Sequence, residues 1–193
     1  MNVNVFEPDV SPLQLQGPKS PQVAKKLFGD VALDLKYYWL AVVELDGIPL
    51  VISRTGWSGE LGYEIYLRDR SFGEELWEKV MEAGREFNIA PITPSTIRSI
   101  EGGLLSYFSD MSRDDNPFVF GFDAFVDFDQ PGDFIGKAAL QKIKENGVAR
   151  NFVGVEIYGD PLVNTNTEFW KIVSGPEVIG HLTRCIYSPR SKR

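Results

Sequence analysis

Cysteine and histidine each occur once in this 193-residue chain, as Cys185 and His181. That rules out an internal disulfide and a His/Cys zinc site, which needs about four such ligands. A lone thiol agrees with a reducing compartment. The two residues sit close together near the C-terminus, where His181 reads as a strand residue rather than a base. No apolar run approaches the eighteen or so residues of a membrane helix, and the opening MNVNVFEPDV has no basic n-region or apolar h-region. The expected compartment is the cytoplasm, with no membrane partner. Basic charge is also short: 20 Lys and Arg face 27 Asp and Glu, for a net charge of -7. Nucleic-acid binding rests on clustered cations, so it is not expected. The one basic cluster, SPRSKR, reads as a solvated tail. Neither a Gly-x-Gly-x-x-Gly nor a P-loop pattern occurs. Asp110, Asp114, Asp115 and Asn116 lack the alternation and terminal glutamate of a calcium loop.

The segments that are present alternate between helix and strand signals. SPQVAKKLFG reads as a short helix, with Ser20 as N-cap, Pro21 at the first position and Gly29 past the end. YYWLAVVELDGIPLVISRT reads as a hairpin turning at Asp46-Gly47, where both residues tolerate positive φ. SFGEELWEKVMEAGREFN is a predicted helix with a Ser71 to Glu74 capping box and an apolar stripe of Phe72, Leu76, Trp77, Val80 and Met81. TPSTIRSIEGGLLSYF predicts another, capped by Thr93 and facing the core with Ile97, Ile100, Leu104 and Phe108. GKAALQKIKENG predicts a last helix closed by Gly147, after which RNFVGVEIYG and the residues beyond it read as short strands. A domain change is expected near residue 149, giving domains of 1–148 and 149–193. Both ends read as cut, with strand-like patterns that lack flanking turns.

Three features stand out chemically. In SRTGWSGELGYEIY, three glycines and Trp57 separate two strands, and the second strand carries Glu64 on the same side as Tyr66 and Arg68. A solvent face is one reading of Glu64, and a ligand site under the preceding loop is the other. Gly102-Gly103 interrupts a helix pattern at roughly 1 kcal/mol per glycine, so either the helix stops there or something approaches closely. Arg98 beside that gap either pairs with Glu101 or meets a flat polar ligand. The aromatic run Phe118, Phe120, Phe122, Phe125 and Phe128 is expected to be mostly core.

LQLQGPKS, SRTGWSGELGYEIY, IRSIEGGLLSYFSDMSRDDNPFVFGFD, DFIGKAAL and IGHLTRCIYSPRSK resemble, in that order, successive motifs of the glycine-cleavage T-protein (aminomethyltransferase) family. The likeness covers nearly the whole chain, and the ordered set is more specific than any one motif. RTGWSGELGYEIY with DDNPFVFGFD, and tryptophan at position 57, is closer in form to the family's dimethylsulfoniopropionate demethylase branch. Two positions depart from the family pattern: Arg184 stands where serine is usual and Phe108 where glycine is common.

The resemblance implies an α+β folate-binding aminomethyltransferase-like domain, incomplete here, followed by part of a C-terminal β-barrel. It implies tetrahydrofolate as the one-carbon acceptor, with the pterin-binding glutamate at Glu64 and a folate-contacting arginine at Arg98. Trp57 and Tyr66 are then expected to wall the site, and Tyr107 and Asp110 to shape its channel. The family's catalytic aspartate falls outside this chain, so no general base is assigned, and the chain alone is expected to be inactive. The donor implied is a small-molecule methyl donor or an aminomethyl-lipoyl carrier protein, and the net charge of -7 favours the former. A non-catalytic folate-binding or regulatory module is the alternative. The cysteine-containing motif of the family's assembly and repair paralogues is absent, which disfavours it. A chain that folds only partly is a third reading. Exposed strand edges at both ends would favour a dimer or a complementing N-terminal segment.

Overall fold

The structure is a computed structural model that describes residues 3–5 and 7–192. The opening alternation runs through Met1, Asn2 and Phe6, and the basic tail ends on Arg193; these positions lie outside the described residues. Helices and strands are mixed in an α+β arrangement, and the chain divides into two compact units, 1–104 and 105–193. These units are defined by packing. They are a different division from the family-type boundary expected near 149.

The first unit is built on a four-stranded antiparallel sheet, with strands β1 (Ser11–Gln16), β2 (Leu40–Leu45), β3 (Ile48–Ser53) and β4 (Gly62–Leu67) in the order β1-β4-β3-β2. The β2–β3 hairpin turns at Asp46 and Gly47, with φ of 52° and 87°, the paired positive values that match strand twist. Alternation then sorts the side chains. Leu15, Ile48, Leu50, Ile52, Tyr63, Ile65 and Leu67 point to one face and are buried. Helices α1 (Ser20–Phe28), α2 (Asp30–Asp34) and α3 (Gly73–Gly84) supply Val23, Ala24, Ala32, Leu76 and Val80 to the same core. Each fully buried Ile or Leu there contributes about 1.5–3 kcal/mol.

Several predicted caps shift. Lys19, not Ser20, precedes α1, and Ser20 is buried inside the first turn, its hydroxyl donating to the Leu61 carbonyl at 3.0 Å. The Ser71 to Glu74 box does not form. Asp69 instead accepts from the Ser71 N–H at 3.0 Å and opens a 3₁₀ turn over Arg70–Phe72 that leads into α3. Trp77 stays exposed beside the buried Leu76. Helix α4 (Thr96–Glu101) starts two residues later than Thr93-Pro94 suggests, because Ser95 accepts from the Arg98 N–H. It ends at Gly102, ahead of Phe108, which is exposed rather than core.

The second unit is mostly irregular. Short 3₁₀ turns over Pro117–Phe120 and Asp123–Phe125 carry the aromatic run. Phe118 is buried, Phe120, Phe122 and Phe128 are half-buried, and Phe125 is exposed. Rings of Phe120 and Phe152 stand 5.4 Å apart. Helix α5 (Lys137–Asn146) forms as expected and ends at Gly147. Among the described residues of this unit, the regular sheet is the two-stranded pair β5 (Trp170–Ser174) and β6 (Glu177–Leu182), with no closed barrel. RNFVGVEIYG does not become a strand. Val153, Val155 and Ile157 alternate as a strand would, but all are exposed and no described strand lies alongside to accept a ladder.

Candidate functional site

The sheet face opposite the helices carries Gln14, Ser53, Glu64 and Tyr66. The register places Gln14 and Ser53 on either side of Glu64, and Pro12 and Val51 on either side of Tyr66. Glu64 is half-buried and held at both oxygens. Gln14 Nε2 donates to Oε1 at 3.1 Å, and the Thr55 hydroxyl donates to Oε2. The Thr55 hydroxyl also bonds Ser53 Oγ. Burial, then the neighbouring Glu64 carboxylate, pushes the Tyr66 phenol above its ordinary pKa. Glu64 lies on the partly exposed sheet face with its carboxylate fixed by donors from β1 and from the loop. Each carboxylate oxygen accepts about two hydrogen bonds, so each keeps acceptor capacity, and an edge bearing two parallel N–H groups fits that pair.

Residues 54–61 link β3 to β4, and their glycines have two different tasks. Gly59 has a φ of 70°, and a Cβ placed on it would lie 3.4 Å from the Gly102 Cα; the reverse distance is the same. Two backbones therefore cross where the sequence showed a glycine gap, and both alternatives for Gly102 hold: the helix stops and a second segment packs on it. Gly56, together with Gly62 at the start of β4, instead flanks the Gln16 amide. Gln16 Oε1 accepts from the Ser58 hydroxyl at 2.7 Å, and its Nε2 donates to the Tyr63 carbonyl at 3.2 Å. Arg54 completes the loop base by donating to the Gly62 carbonyl at 2.8 Å, with its guanidinium 5.2 Å from the Tyr63 ring centre.

Arg98 pairs with Glu60 of this loop at 3.0 Å, not with Glu101. Both side chains are largely exposed, so the pair contributes no more than about 1 kcal/mol. Trp57 lies in the same loop and is 44% exposed. Glu64, Tyr66, Trp57 and Arg98 thus all belong to the first unit, where the loop connects Arg98 and Trp57 to the strand bearing Glu64.

Tyr107 belongs to the second unit. It is 44% exposed, its ring meets Phe108 edge-on at 4.4 Å, and Phe108 has a φ of 70°. Phe108 thus adopts the left-handed conformation that glycine takes without strain. Asp110 is buried. Its carboxylate accepts from the Ser106 N–H at 2.8 Å, the Thr183 hydroxyl at 3.0 Å and Arg184 Nε at 2.9 Å. Its work within this unit is to anchor the 183–185 segment, which Asn166 holds from the other side by accepting from the Cys185 N–H at 2.8 Å. Burial raises the Cys185 thiol pKa, the opposite of what a nucleophile needs. His181 is exposed in β6 opposite Lys171.

The acidic run supports turns. Asp115 accepts from the Ser112 N–H at 2.8 Å and from Arg150, and Asn116 caps the following 3₁₀ turn. Among the described residues no acidic, His and Cys cluster is arranged to hold a metal ion. No helix among them is long and apolar enough to cross a membrane.

Gln16, Gln14 and Thr55 escaped sequence reasoning. The signal available for Gln16 was indirect: two glycines, Gly56 and Gly62, at positions where the backbone needs none.

A model of the GCVT N-terminal domain matches residues 1–130. The dimethylsulfoniopropionate demethylase DmdA of Ruegeria pomeroyi is 34% identical over 188 residues, which span 97% of this chain and 50% of that protein. An aminomethyltransferase of Thermoanaerobacter pseudethanolicus is 35% identical over 197 aligned residues, covering all of this chain and 52% of the relative. The chain spans about half the length of the curated relatives it matches.

Proposed function

The chain belongs to the glycine-cleavage T-protein family, and from that premise we propose that its first unit binds the pterin of tetrahydrofolate for one-carbon transfer. Glu64 receives the two N–H groups of the amino-pyrimidine edge, as a carboxylate receives an arginine fork. Arg98, Trp57 and Tyr66 supply further contacts from α4, the loop and β4, and Tyr107 is assigned as a folate contact by its motif position alone. The observation that carries this reading is the geometry around Glu64: one donor on each oxygen, a half-buried setting and remaining acceptor capacity on both. Glu64 already has one donor on each oxygen, and a ligand edge with two parallel N–H groups would fill the acceptor capacity that remains.

Tetrahydrofolate would supply the nitrogen that takes the one-carbon unit. What these residues do is bind and orient it, the contribution that converts a bimolecular encounter into an aligned one. No side chain of this chain is assigned as a general base. Activity is proposed for the protein as a whole, either as a methyltransferase acting on a small sulfonium donor or as an aminomethyltransferase served by a lipoyl carrier. The names of the two relatives stand one on each side. The branch-like Trp57 and the net charge of -7, which offers no basic platform to an acidic carrier, favour the small-molecule donor. β5 and β6 are assigned to the family's C-terminal barrel region, with the boundary at 148/149, and the compartment to the cytoplasm.

The test is a thermal melt of the chain with and without excess tetrahydrofolate, run beside Glu64→Gln. At a hundred times the dissociation constant a ligand adds about 2.7 kcal/mol, which moves a midpoint by a few degrees. A shift in the wild type that disappears in Glu64→Gln is expected. An equal shift in both proteins would remove Glu64 from the site.

A further inference from the structure

We infer that Gln16 is a positioning residue: its amide, clasped between Gly56 and Gly62, latches residues 54–61 and through them sets ligand affinity at Glu64. The inference rests on the reading of Glu64 as a ligand group, and it assigns what holds that group in place.

A Cβ built on Gly56 would fall 2.2 Å from Gln16 Oε1, and one built on Gly62 would fall 2.3 Å from Gln16 Nε2. Neither glycine has positive φ, so the backbone would accept alanine at both positions. What excludes a side chain there is the amide itself. The amide uses both ends. Oε1 accepts from Ser58, and Nε2 donates to the carbonyl of Tyr63 and, at a longer 3.4 Å, to that of Thr55. Thr55 is also the residue whose hydroxyl donates to Glu64 Oε2. Two successive bonds therefore lead from Gln16 to the carboxylate. On its other side the loop rests on the end of α4, where Gly59 meets Gly102 and Glu60 meets Arg98. Without the amide, Thr55 keeps its hydroxyl bonds to Ser53 and Glu64, whereas Ser58 loses its acceptor and the loop beyond Thr55 keeps the contacts of Gly59 and Glu60 with α4.

The clash partner at Gly56 and at Gly62 is the far end of a flexible side chain. Gly56→Ala should therefore evict the amide and leave the strands intact, giving the same state as Gln16→Ala by a different route. Two routes to one state predict non-additivity. The experiment is amide hydrogen exchange on the full chain as wild type, Gln16→Ala, Gly56→Ala and the double variant, followed by melts of each with tetrahydrofolate. Exchange across residues 55–61 should rise about tenfold in each single variant and no further in the double, while Ile52 and Ile65 keep wild-type protection. The tetrahydrofolate-induced shift should shrink equally in both single variants.

Unchanged exchange at 55–61 overturns the latch. Loss of protection at Ile52 and Ile65 as well makes Gln16 part of the scaffold and overturns it too. Loosened exchange with an undiminished tetrahydrofolate shift overturns its positioning role. A wild type with no shift at all refutes the folate reading, and with it the ligand half of this one, whereas a wild-type shift that Gln16→Ala leaves intact refutes this one alone.

Discussion

Arg184 Nε donates to Asp110 Oδ1 at 2.9 Å across a sequence separation of 74 residues, and the Asp110 side chain is 1% exposed. The position where the family usually has serine is thus filled by the partner of a buried carboxylate. Removing one member of a buried pair strands the other and costs about 3–5 kcal/mol. Arg184→Ala is expected to lose about 3 kcal/mol in urea unfolding, since Ser106 and Thr183 still serve Asp110. Arg184→Lys, which keeps the charge but not the fork, should fall between the two. An Arg184→Ala chain as stable as wild type would show that the pair adds nothing.

Asp115 gives the second unit an acid-sensitive contact. The Ser112 N–H first, and then Arg150, hold its carboxyl below its ordinary value of 3.8. A depressed folded pKa contributes stability above the unfolded value, and that stability is lost as pH falls through the folded one. Asp115→Asn should therefore be less stable than wild type at neutral pH. The two should converge as pH drops below about 3.8 toward the lowered folded pKa. Unfolding curves across that range decide the matter, and a constant difference down to the lowest pH would contradict it.

Tyr66 reports on Glu64 without any ligand. Burial is the larger cause of its raised pKa and the carboxylate the next. In Glu64→Gln the phenol should titrate lower than in wild type yet stay above its ordinary 10.0, because burial remains. An NMR titration of the assigned tyrosine ring carbons measures this. No change would mean the two side chains do not sense each other.

Phe108 tests the other departure from the family pattern. At a φ of 70° a residue other than glycine costs roughly 1–2 kcal/mol, and a β-branched one more. The expected order of melting midpoints is Phe108→Gly at or above wild type, with Phe108→Val clearly below. Because the ring is 84% exposed, its loss removes little burial, although it does remove the edge contact with Tyr107. A Val variant equal to wild type would mean that the local backbone rearranges freely.

What the sequence disclosed was largely what lies close along the chain. The Asp46-Gly47 hairpin, α1 and α5 were legible because their turn and cap residues act within a few positions. Caps placed at Ser20, Ser71 and Thr93 slipped because neighbouring polar residues competed for the same N–H groups, and Asp69 and Ser95 took two of them. Glu64 and Arg98 could be singled out, but their partners could not: Glu60 is 38 residues from Arg98 and Gln14 is 50 from Glu64. The clasp at Gln16 showed only indirectly, through Gly56 and Gly62, for the same reason, since its bonds span 39 to 47 residues. The segment Val153–Ile157 misled because alternation signals a strand only if another strand is there to pair with it.

The strand order carries a consequence for how the polar face comes into being. β2, β3 and β4 are consecutive neighbours and can zip locally, whereas β1 joins by contacts that close a much longer loop. Gln14 and Gln16 both arrive on β1. A meander of the other three strands alone would present Glu64 with Thr55 but without either glutamine. The carboxylate has both its donors only when β1 is paired with β4, so the face that would meet a ligand is also the seam between the meander and its one non-local strand.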